Sequence, residues 1–290
     1  MIVDGVTAGK VVAPQSIDEL TQAIAEHKGS LVPVGAGTQL EFGNPLQSAD
    51  CVVNLSRLNR ITTYNPDELT IHVEAGVTLG DLQSALTANN QALPLDPWCG
   101  PSATIGGIAA TNAQGPLRAT GTIRDWIIGM KVVEVDGRIS KTGGRVVKNV
   151  AGYDMAKLHI GAHGTLGPIA QVTLKVRPLA PVRAWLAMPL KPGKHGQAAD
   201  RAHACASRPV AFDLLALPGG PVAWTAMAGF EGEAPAVAWQ VAKAKDEFKD
   251  LVHGQVIECQ PNSVDAMATK LAERTDPAYG SVAALGCLPG

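Results

Sequence analysis

The sequence is poor in several features that mark other classes of protein. Aromatic residues make up 4% of its 290 residues, and the formal net charge at pH 7 is -2. A nucleic-acid platform stacks bases on aromatic rings and needs a basic field, and neither feature is present here. We therefore expect no nucleic-acid partner and no attraction to an anionic lipid surface.

Paired cysteines and long apolar runs are also missing. The five cysteines include no CxxC pair, so their spacing does not match zinc or iron–sulfur ligation. No run reaches the roughly 20 apolar residues that cross a bilayer, and the N-terminus (MIVDGVTAGK) lacks the apolar centre of a signal peptide. We expect reduced thiols, no metal, no direct membrane insertion and a cytoplasmic location, with any membrane association through partner subunits.

Length and hydrophobic patterning predict an α+β protein of two domains. Arg177-Pro178 closes a strand predicted at Gln171–Val176, and we place the boundary there, between a domain of residues 1–178 and a smaller one of residues 179–290. In the first domain, Ser16 and Glu19 form a capping box that predicts a helix to Gly29, and Thr78 opens a second helix that ends near Asn90. Strands are predicted there at Leu31–Val34, Cys51–Leu55, Ile61–Tyr64, Leu69–Val73, Ile127–Val135 and Arg138–Lys141.

The second domain is predicted to be a small antiparallel sheet with helices on one face. Its strands are expected at Arg183–Met188, Phe212–Leu217, Val222–Ala228 and Val256–Glu258, and its helices at Gln197–Ser207, Val237–Lys249 and Asn262–Arg274.

Three glycine-rich segments carry most of the functional information. They are Leu31–Thr38 (the first glycine segment), Pro101–Asn112 (the second) and Gly161–Ile169 (the third). Glycine lets a main chain approach a charged ligand closely enough for backbone N–H groups to bind it. The first segment has neither a Walker lysine nor GxGxxG spacing, so taken alone it is equally typical of a tight turn.

The other two glycine segments favour a ligand site over a simple turn. Thr104-Ile105-Gly106-Gly107 starts a loop of small residues up to Asn112, which suits a phosphate site, although close helix–strand packing also explains Ala109 and Ala110. Before the third segment, Lys148, Asn149, Tyr153 and Asp154 are polar groups among small and apolar residues. Tyr153 and Asp154 also suit the simple capping of a short helix.

Together these segments resemble the FAD-binding domain of the vanillyl-alcohol oxidase family, also called the p-cresol methylhydroxylase (PCMH) type. The resemblance covers about residues 12–178 and is most specific in GTIRDWIIGMKVVEVDGRI and in KNVAGYD with the later GTLGPI. It implies a two-subdomain flavin domain followed by a smaller α+β cap. The medium, flavin-carrying subunit of molybdenum hydroxylases resembles the chain less, because RDWIIGMKVV and KNVAGYD have no counterpart there.

The resemblance also implies which residues surround the cofactor. By position in the family motifs, the FAD-binding residues are Pro33, Gly35, Ala36, Gly37, Thr38, Gln39, Thr104, Ile105, Gly106, Gly107, Ala110, Asn112, Gly121, Arg124, Asp125, Gly152, Tyr153, Gly164, Thr165, Leu166, Gly167 and Ile169. Several relatives attach FAD through a histidine in this region. Residues 34–43 read VGAGTQLEFG here and contain no histidine, so we expect non-covalent FAD. Cys99 stands where some relatives form a cysteinyl link, but a nearby unlinked cysteine is the commoner outcome.

The resemblance implies the accessory flavin subunit of a multi-subunit glycolate dehydrogenase. Such a subunit supports oxidation of glycolate, a small 2-hydroxy acid, and electrons leave through a sister FAD-binding catalytic subunit and an iron–sulfur subunit. Catalytic relatives bring a histidine-rich metal site to the flavin, whereas His195, His203 and His253 show no metal-ligand spacing here. His159 and His163 are nearer the expected cofactor and suit either flavin tuning or a structural role. The catalytic residues are not assigned.

Two other functions remain open at this stage. A stand-alone FAD oxidoreductase for another hydroxy acid or alcohol would draw its substrate cation from Arg183, Arg201 or Arg208 of the second domain. A subunit that has kept the flavin fold only for assembly would contain no flavin and would still be required by its partners.

Overall fold

The fold is described from a computed structural model that covers residues 1–144, 154–216, 224–259 and 285–286. The residues group into two compact units. The first unit comprises residues 1–94, 99–113 and 122–178, and the second comprises 95–98, 114–121 and 179–290. Two short segments from within the predicted first domain therefore pack with the second unit.

Strands and helices alternate along the chain. The strands are β1 Ile2–Val3, β2 Val6–Thr7, β3 Lys10–Val12, β4 Leu31–Val34, β5 Cys51–Asn54, β6 Ile61–Asn65, β7 Thr70–Glu74, β8 Gln91–Ala92, β9 Ile127–Val133, β10 Ile139–Gly143, β11 Ile169–Lys175, β12 Arg177–Pro178, β13 Val182–Pro189, β14 Ala211–Ala216, β15 Trp224–Gly232, β16 Ile257–Cys259 and β17 Leu285–Gly286. The α-helices are α1 Ile17–Ala25, α2 Leu79–Thr87, α3 Ile105–Thr111, α4 Ile123–Trp126, α5 Ala156–His159, α6 His195–Ala204 and α7 Ala234–Phe248. Short 3₁₀ turns occupy Leu55–Arg57, Pro66–Glu68 and Pro116–Thr120.

The first unit is built on two main sheets. One is a parallel sheet of order β3-β5-β4, in which α1 connects β3 to β4. The other is an antiparallel sheet of order β10-β9-β11-β7-β6. Leu20 and Ile24 of α1 pack against Val53 of the parallel sheet and Val133 of the antiparallel sheet. Small strand pairs β1-β2 and β8-β12 complete this unit.

The second unit is an antiparallel sheet of order β16-β13-β15-β14-β17 with two long helices packed against it. Its core joins side chains from three strands, including Leu186, Phe212 and Phe230, to Val241 and Phe248 of α7 and also includes α6. The prediction of an antiparallel sheet with helices on one face is confirmed. The predicted helix Asn262–Arg274 lies outside the described residues.

Local capping signals account for the helix starts. The Ser16 hydroxyl accepts the Glu19 N–H at 3.1 Å, while Glu19 accepts the Gln15 N–H at 2.9 Å. Helix α1 ends at Ala25, four residues before the predicted end at Gly29, and Gly29 itself has a positive φ of 136°. The Asn65–Glu68 turn joins β6 and β7 as an antiparallel hairpin, as the sequence predicts.

The second glycine segment differs from its prediction, because Thr104-Ile105-Gly106-Gly107 begins a helix rather than a loop. The Thr104 hydroxyl accepts the Gly107 N–H at 3.2 Å and caps α3, and Ala109 and Ala110 are strong helix formers. Glycines in a first helical turn lower helix propensity by only about 1 kcal/mol each, so the cap and the burial of Ile105 and Ile108 outweigh them.

Candidate functional site

All three glycine segments meet at one cavity in the first unit. The cavity is small, with a volume of about 50 Å³, well below the roughly 300–1,000 Å³ of pockets that enclose a whole ligand, so it has room for only a small part of one. It is lined by Pro33, Gly35, Leu55, Ala75, Thr104, Gly106, Gly107, Ala110, His163, Gly164, Pro168 and Ile169. Neither Lys nor Arg occurs among these described lining residues, so an anionic ligand must be held mainly by backbone dipoles.

Glycine is required at this cavity because the three segments approach one another closely. A Cβ atom on Gly35 would lie 2.1 Å from the Thr104 hydroxyl, and one on Gly106 would lie 2.6 Å from the Ala75 Cβ. On Gly164, where φ is 75°, it would lie 2.5 Å from the Pro33 ring. Packing between segments therefore accounts for these three glycines before any ligand is considered.

Gly107 is different from its neighbours. Among the described residues, a Cβ atom there would meet only the Thr104 hydroxyl, at 3.0 Å. Gly107 also lines the cavity, so its bare backbone faces open space. This glycine is the one at α3 that packing does not demand and that the approach of a ligand explains.

Some backbone N–H groups of the first and second glycine segments already have a hydrogen-bond partner, and others do not. The N–H of Ile105 bonds to Val77, that of Gly106 to Ala75 at 2.8 Å, and that of Gly107 to Thr104. Within the described parts of the chain, no hydrogen bond occupies the N–H groups of residues 36–38 in the first glycine segment. The first segment, rather than the start of α3, holds the free donors.

The third glycine segment docks onto the end of α3. The N–H of Gly161 donates to Ala109 at 3.0 Å, and the N–H of His163 donates to Ala110 at 2.8 Å. His163 has a left-handed backbone conformation with φ 51° and is one of the residues that line the cavity. Asn112, which ends α3 in the same conformation, has a buried Oδ1 with no partner among the described residues, so an acceptor is available for a ligand donor.

Replacement of Gly106 by alanine is expected to destabilise the first unit. The new Cβ would overlap the Ala75 Cβ and approach the Ala75 carbonyl oxygen to 2.9 Å, which forces backbone movement. Overpacking of this kind costs about 1–3 kcal/mol, more than the gain of up to about 1 kcal/mol in helix propensity. Urea unfolding of the apoprotein measures the change, and Gly196→Ala, at a site with nothing within 4 Å in the described residues, is the matched control.

Eight of the residues predicted to contact FAD line this cavity. They are Pro33, Gly35, Thr104, Gly106, Gly107, Ala110, Gly164 and Ile169. Predicted residues that do not line it are Ala36, Gly37, Thr38, Gln39, Ile105, Asn112, Gly121, Arg124, Asp125, Thr165, Leu166 and Gly167. Gly152 and Tyr153, with Lys148 and Asn149, lie outside the described residues.

Several of the predicted residues make internal contacts instead. Gln39 accepts a hydrogen bond from Thr111 of α3, which ties the first glycine segment to that helix. Asp125 accepts the N–H and the hydroxyl of Thr122 and caps α4, whereas Arg124 is exposed. Gly121 belongs to the second unit. The cofactor assignment of these residues stays a prediction.

Cys99 is in an environment that disfavours a covalent flavin link. Burial raises the pKa of the Cys99 thiol above its usual value, against opposing hydrogen bonds from its own backbone and from Thr38. A thiol with a raised pKa is less nucleophilic at neutral pH. Cys99 forms no disulfide.

Leu55, Ala75 and Pro168 line the cavity without having been predicted. Leu55 and Ala75 follow the strands β5 and β7, and their positions depend on how those strands are brought together. No motif surrounds them, so only the tertiary structure reveals them. They give the cavity an apolar side opposite its backbone donors.

The second unit contains a buried ionic cluster that the sequence analysis did not predict. Arg118 donates to Asp213 Oδ1 from both terminal nitrogens, at 3.2 and 3.1 Å, and to the carbonyl oxygens of Gly115 and Phe212. The side chains of Arg118 and Asp213 are 7% and 2% exposed. Asp96 accepts the Leu117 N–H at 2.9 Å beside them. We call Asp96, Arg118 and Asp213 the acid cluster.

The two acids of this cluster have raised pKa values. Burial raises the pKa of Asp96 to about 8, with a further increase from Asp213, against the Leu117 N–H and Arg118. Burial also raises the pKa of Asp213 to about 6, against the charge and hydrogen bonds of Arg118. One guanidinium cannot neutralise two desolvated carboxylates, so one of them carries a proton near pH 7.

Three other candidate side chains of the second unit have contacts of their own, whereas Arg208 is exposed. His195 stacks on Trp224 with ring centroids 5.0 Å apart. Arg183 pairs with Glu231 at 3.0 Å, and Arg201 pairs with Asp250. In the described parts of the chain, no group of three or more His, Cys, Asp or Glu residues is placed to hold a metal ion. None of the helices described is long and apolar enough to span a bilayer.

A parallel sheet, an antiparallel sheet and a cavity lined by glycine-rich backbone together define a nucleotide-cofactor domain of the flavoprotein class. Residues 8–143 match the family model of the FAD binding domain, so this region of the chain is similar to that family. The resemblance predicted from the glycine segments and from RDWIIGMKVV is thereby confirmed.

Known proteins agree with this assignment. Over 164 residues the chain is 35% identical to glycolate oxidase subunit GlcE of Escherichia coli, covering 56% of this chain and 46% of that protein. It is 35% identical over 173 residues to glycolate oxidase subunit GlcD of Bacillus subtilis, covering 58% and 37%. It is 35% identical over 171 residues to the mitochondrial D-lactate dehydrogenase [cytochrome] of Arabidopsis thaliana, covering 58% and 30%. The matched regions span less than half of each of these relatives.

A solved structure extends the likeness to the fold as a whole. The structure of p-cresol methylhydroxylase with substrate bound superposes with a TM-score of 0.73 at 19% identity, covering 89% of this chain and 60% of that one. The expected PCMH-type α+β fold is confirmed.

The cavity fits an FAD diphosphate. Its wall has an open glycine backbone at Gly107 and apolar residues at Leu55 and Ala75. Residues 36–38, which follow the lining residue Gly35 without lining the cavity themselves, have N–H groups with no partner among the described residues. The unpaired Asn112 Oδ1 is an acceptor two residues beyond the lining residue Ala110.

Proposed function

We propose that this chain is a non-covalent FAD-binding component of an oxidoreductase that oxidises a small 2-hydroxy acid, with glycolate as the first candidate. The observation that carries the proposal is the convergence of three glycine segments on one cavity, with free backbone donors at residues 36–38, directly after the lining residue Gly35. The similarity to two glycolate oxidase subunits supports glycolate as substrate.

Different residues are proposed to bind the phosphates of FAD and to exclude water from them. N–H groups of residues 36–38 bind phosphate oxygens, and Gly107 leaves room for them. Leu55, Ala75 and Ile169 exclude water from this part of the site. When bound, FAD supplies the acceptor for the hydride and electrons of the substrate. The raised pKa of Cys99 favours a cofactor held without a covalent bond.

We propose further that the chain works as an accessory flavin subunit beside a sister flavin subunit and an iron–sulfur subunit, in the cytoplasm or at a membrane through those partners. The names GlcD and GlcE belong to different subunits of glycolate oxidase, which supports a multi-subunit assembly. The described part of the chain contains no cysteine cluster for iron–sulfur ligation, and in this proposal the electrons leave through the iron–sulfur subunit.

A stand-alone oxidoreductase for another 2-hydroxy acid is the second candidate. The similarity to D-lactate and D-2-hydroxyglutarate dehydrogenases favours it. Against it, Arg183 and Arg201 are held in ion pairs with acidic side chains of the same unit, so neither is an uncommitted substrate cation.

An absorption spectrum of the purified chain tests both candidates. We expect flavin bands between 350 and 500 nm that pass into the supernatant after acid precipitation, because the cofactor is not covalently bound. Addition of glycolate alone should leave the bands unbleached if the chain is accessory, and bleaching by glycolate or D-lactate would instead establish the stand-alone reading. A protein that cannot be reconstituted with FAD contradicts the proposed function and favours a purely structural subunit.

A further inference from the structure

A second and larger cavity lies against the antiparallel sheet of the first unit. It has a volume of about 530 Å³, within the roughly 300–1,000 Å³ of ligand pockets, and is lined by residues of β6, β7, β9, β10 and β11. We call it the sheet cavity. It shares no lining residue with the cavity of the glycine segments, so the proposed cofactor site leaves it unexplained.

Two glycines opposite one another leave space in the sheet cavity. Gly129 of β9 is paired with Gly143 of β10 on one side and with Thr173 of β11 on the other. A Cβ atom on Gly143, where φ is 69°, would lie 2.1 Å from the Ile128 carbonyl oxygen, so the backbone itself requires glycine there. With no side chain at either glycine, the sheet has room for a ligand next to Thr173.

The neutral polar side chains of the sheet cavity are linked by hydrogen bonds. His72 is only 6% exposed, and its Nδ1 lies 2.8 Å from the Thr173 hydroxyl. The Gln171 amide donates to the Thr62 hydroxyl at 2.9 Å, and that hydroxyl donates to the His72 carbonyl oxygen at 3.2 Å. These bonds fix the polar side chains of three neighbouring strands, so little conformational entropy remains to be lost when a ligand binds them.

The charged side chains of the sheet cavity are two lysines. Lys131 of β9 and Lys141 of β10 are directly opposite each other in the antiparallel pair, where like charges are destabilising. Neither Asp nor Glu occurs among the described lining residues. Glu74 belongs to the same cross-strand row through Gln171, but it is bonded to Arg60 at 2.7 Å and does not line the cavity. An anionic ligand would therefore relieve the repulsion between the two lysines.

We propose that the sheet cavity binds a small anion, with a phosphate or carboxylate group between Lys131 and Lys141 and the rest of the ligand toward His72 and Thr173. Residues two apart on a strand are separated by about 7 Å, which is the distance from the lysine row to the row of Thr173. A ligand of a few heavy atoms spans it. This inference is independent of the proposed function.

The test is the thermal unfolding midpoint of the full chain in phosphate and in malonate, each compared with chloride at equal ionic strength. At about 100 mM, the better of the two anions should raise the wild-type midpoint by about 3 °C, as expected for a dissociation constant about tenfold below that concentration. The anion that gives the larger rise identifies the class of ligand, phosphate or carboxylate.

Lys141→Glu is the decisive variant, because it replaces the like-charge pair by an opposite-charge pair across the two strands. We expect its midpoint in chloride to equal or exceed that of wild type, and the rise with anion to be lost. Lys141→Arg retains the charge and should keep the rise. Lys28→Glu, at an exposed lysine that does not line the cavity, makes the same change in net charge and should respond as wild type does.

If Lys141→Glu does not fold, Lys141→Gln takes its place, and its dissociation constant for the anion should be about tenfold higher than that of wild type. A rise that persists undiminished in the Lys141 variants would be the general effect of these salts on stability, or binding at another site, and overturns the inference. Absence of any rise in wild type overturns it as well. Both results leave the proposed function standing, because flavin content is measured separately.

Discussion

Gly107→Asp is expected to abolish retention of FAD and to leave the fold intact. Gly107 is the third residue of α3, where a carboxylate favours both the capping box with Thr104 and the positive end of the helix. The same carboxylate stands in the wall of the cavity. At about 5 Å from a phosphate and an effective dielectric constant of about 20, like charges repel by about 3 kcal/mol, or roughly 100-fold in affinity.

The matched control is Gly107→Asn, which has the same shape and no charge. We expect it to weaken FAD binding by less than tenfold, because only steric displacement remains. The measurements are the flavin-to-protein absorbance ratio after purification and the dissociation constant on reconstitution of the apoprotein. Equal losses of FAD affinity in the two variants would mean that steric displacement and not charge weakens binding. A Gly107→Asp variant that binds FAD as tightly as wild type would mean that this cavity is not part of the FAD site.

The sequence predicted the elements of both units because the relevant signals are local. Ser16 and Thr78 start helices through hydrogen bonds that span three residues, and the turn at Asn65–Glu68 depends on its own four residues. The second glycine segment was predicted to be a loop and is a helix, because its structure depends on contacts that are distant in sequence. Its glycines look like loop residues, yet Gly106 is required by Ala75, which is distant in sequence and close in the fold.

Prediction of the cofactor site had the same limit. Motifs identify segments, and eight of the predicted residues do line the cavity. They cannot show that the N–H groups of Ile105 and Gly106 already donate hydrogen bonds to the carbonyl oxygens of Val77 and Ala75. The acid cluster was beyond sequence reasoning altogether, since Asp96, Arg118 and Asp213 share no motif and meet only because two short segments join the second unit.

Arg118→Met is expected to destabilise the second unit by about 3–5 kcal/mol, since it leaves the buried Asp213 carboxylate without the one cation that faces it in the described residues. Arg118 has four hydrogen bonds, two to Asp213 Oδ1 and two to backbone carbonyl oxygens, and all of these acceptors lose their donor. Arg118 also lowers the pKa of Asp213, so its removal raises that pKa further above about 6. Asp213 can then become neutral at low pH, and the loss of stability should be smaller at pH 5 than at pH 8.

Thermal and urea unfolding at both pH values measure this effect. The double variant Arg118→Met/Asp213→Leu should recover much of the loss, because replacing a whole buried pair by apolar side chains is often close to neutral. Arg138→Met, which breaks the exposed pair with Asp136, should leave the unfolding midpoint nearly unchanged. If Arg118→Met were as mild as Arg138→Met, or if the double variant were no better than the single one, the Arg118–Asp213 pair would not be what stabilises this part of the second unit.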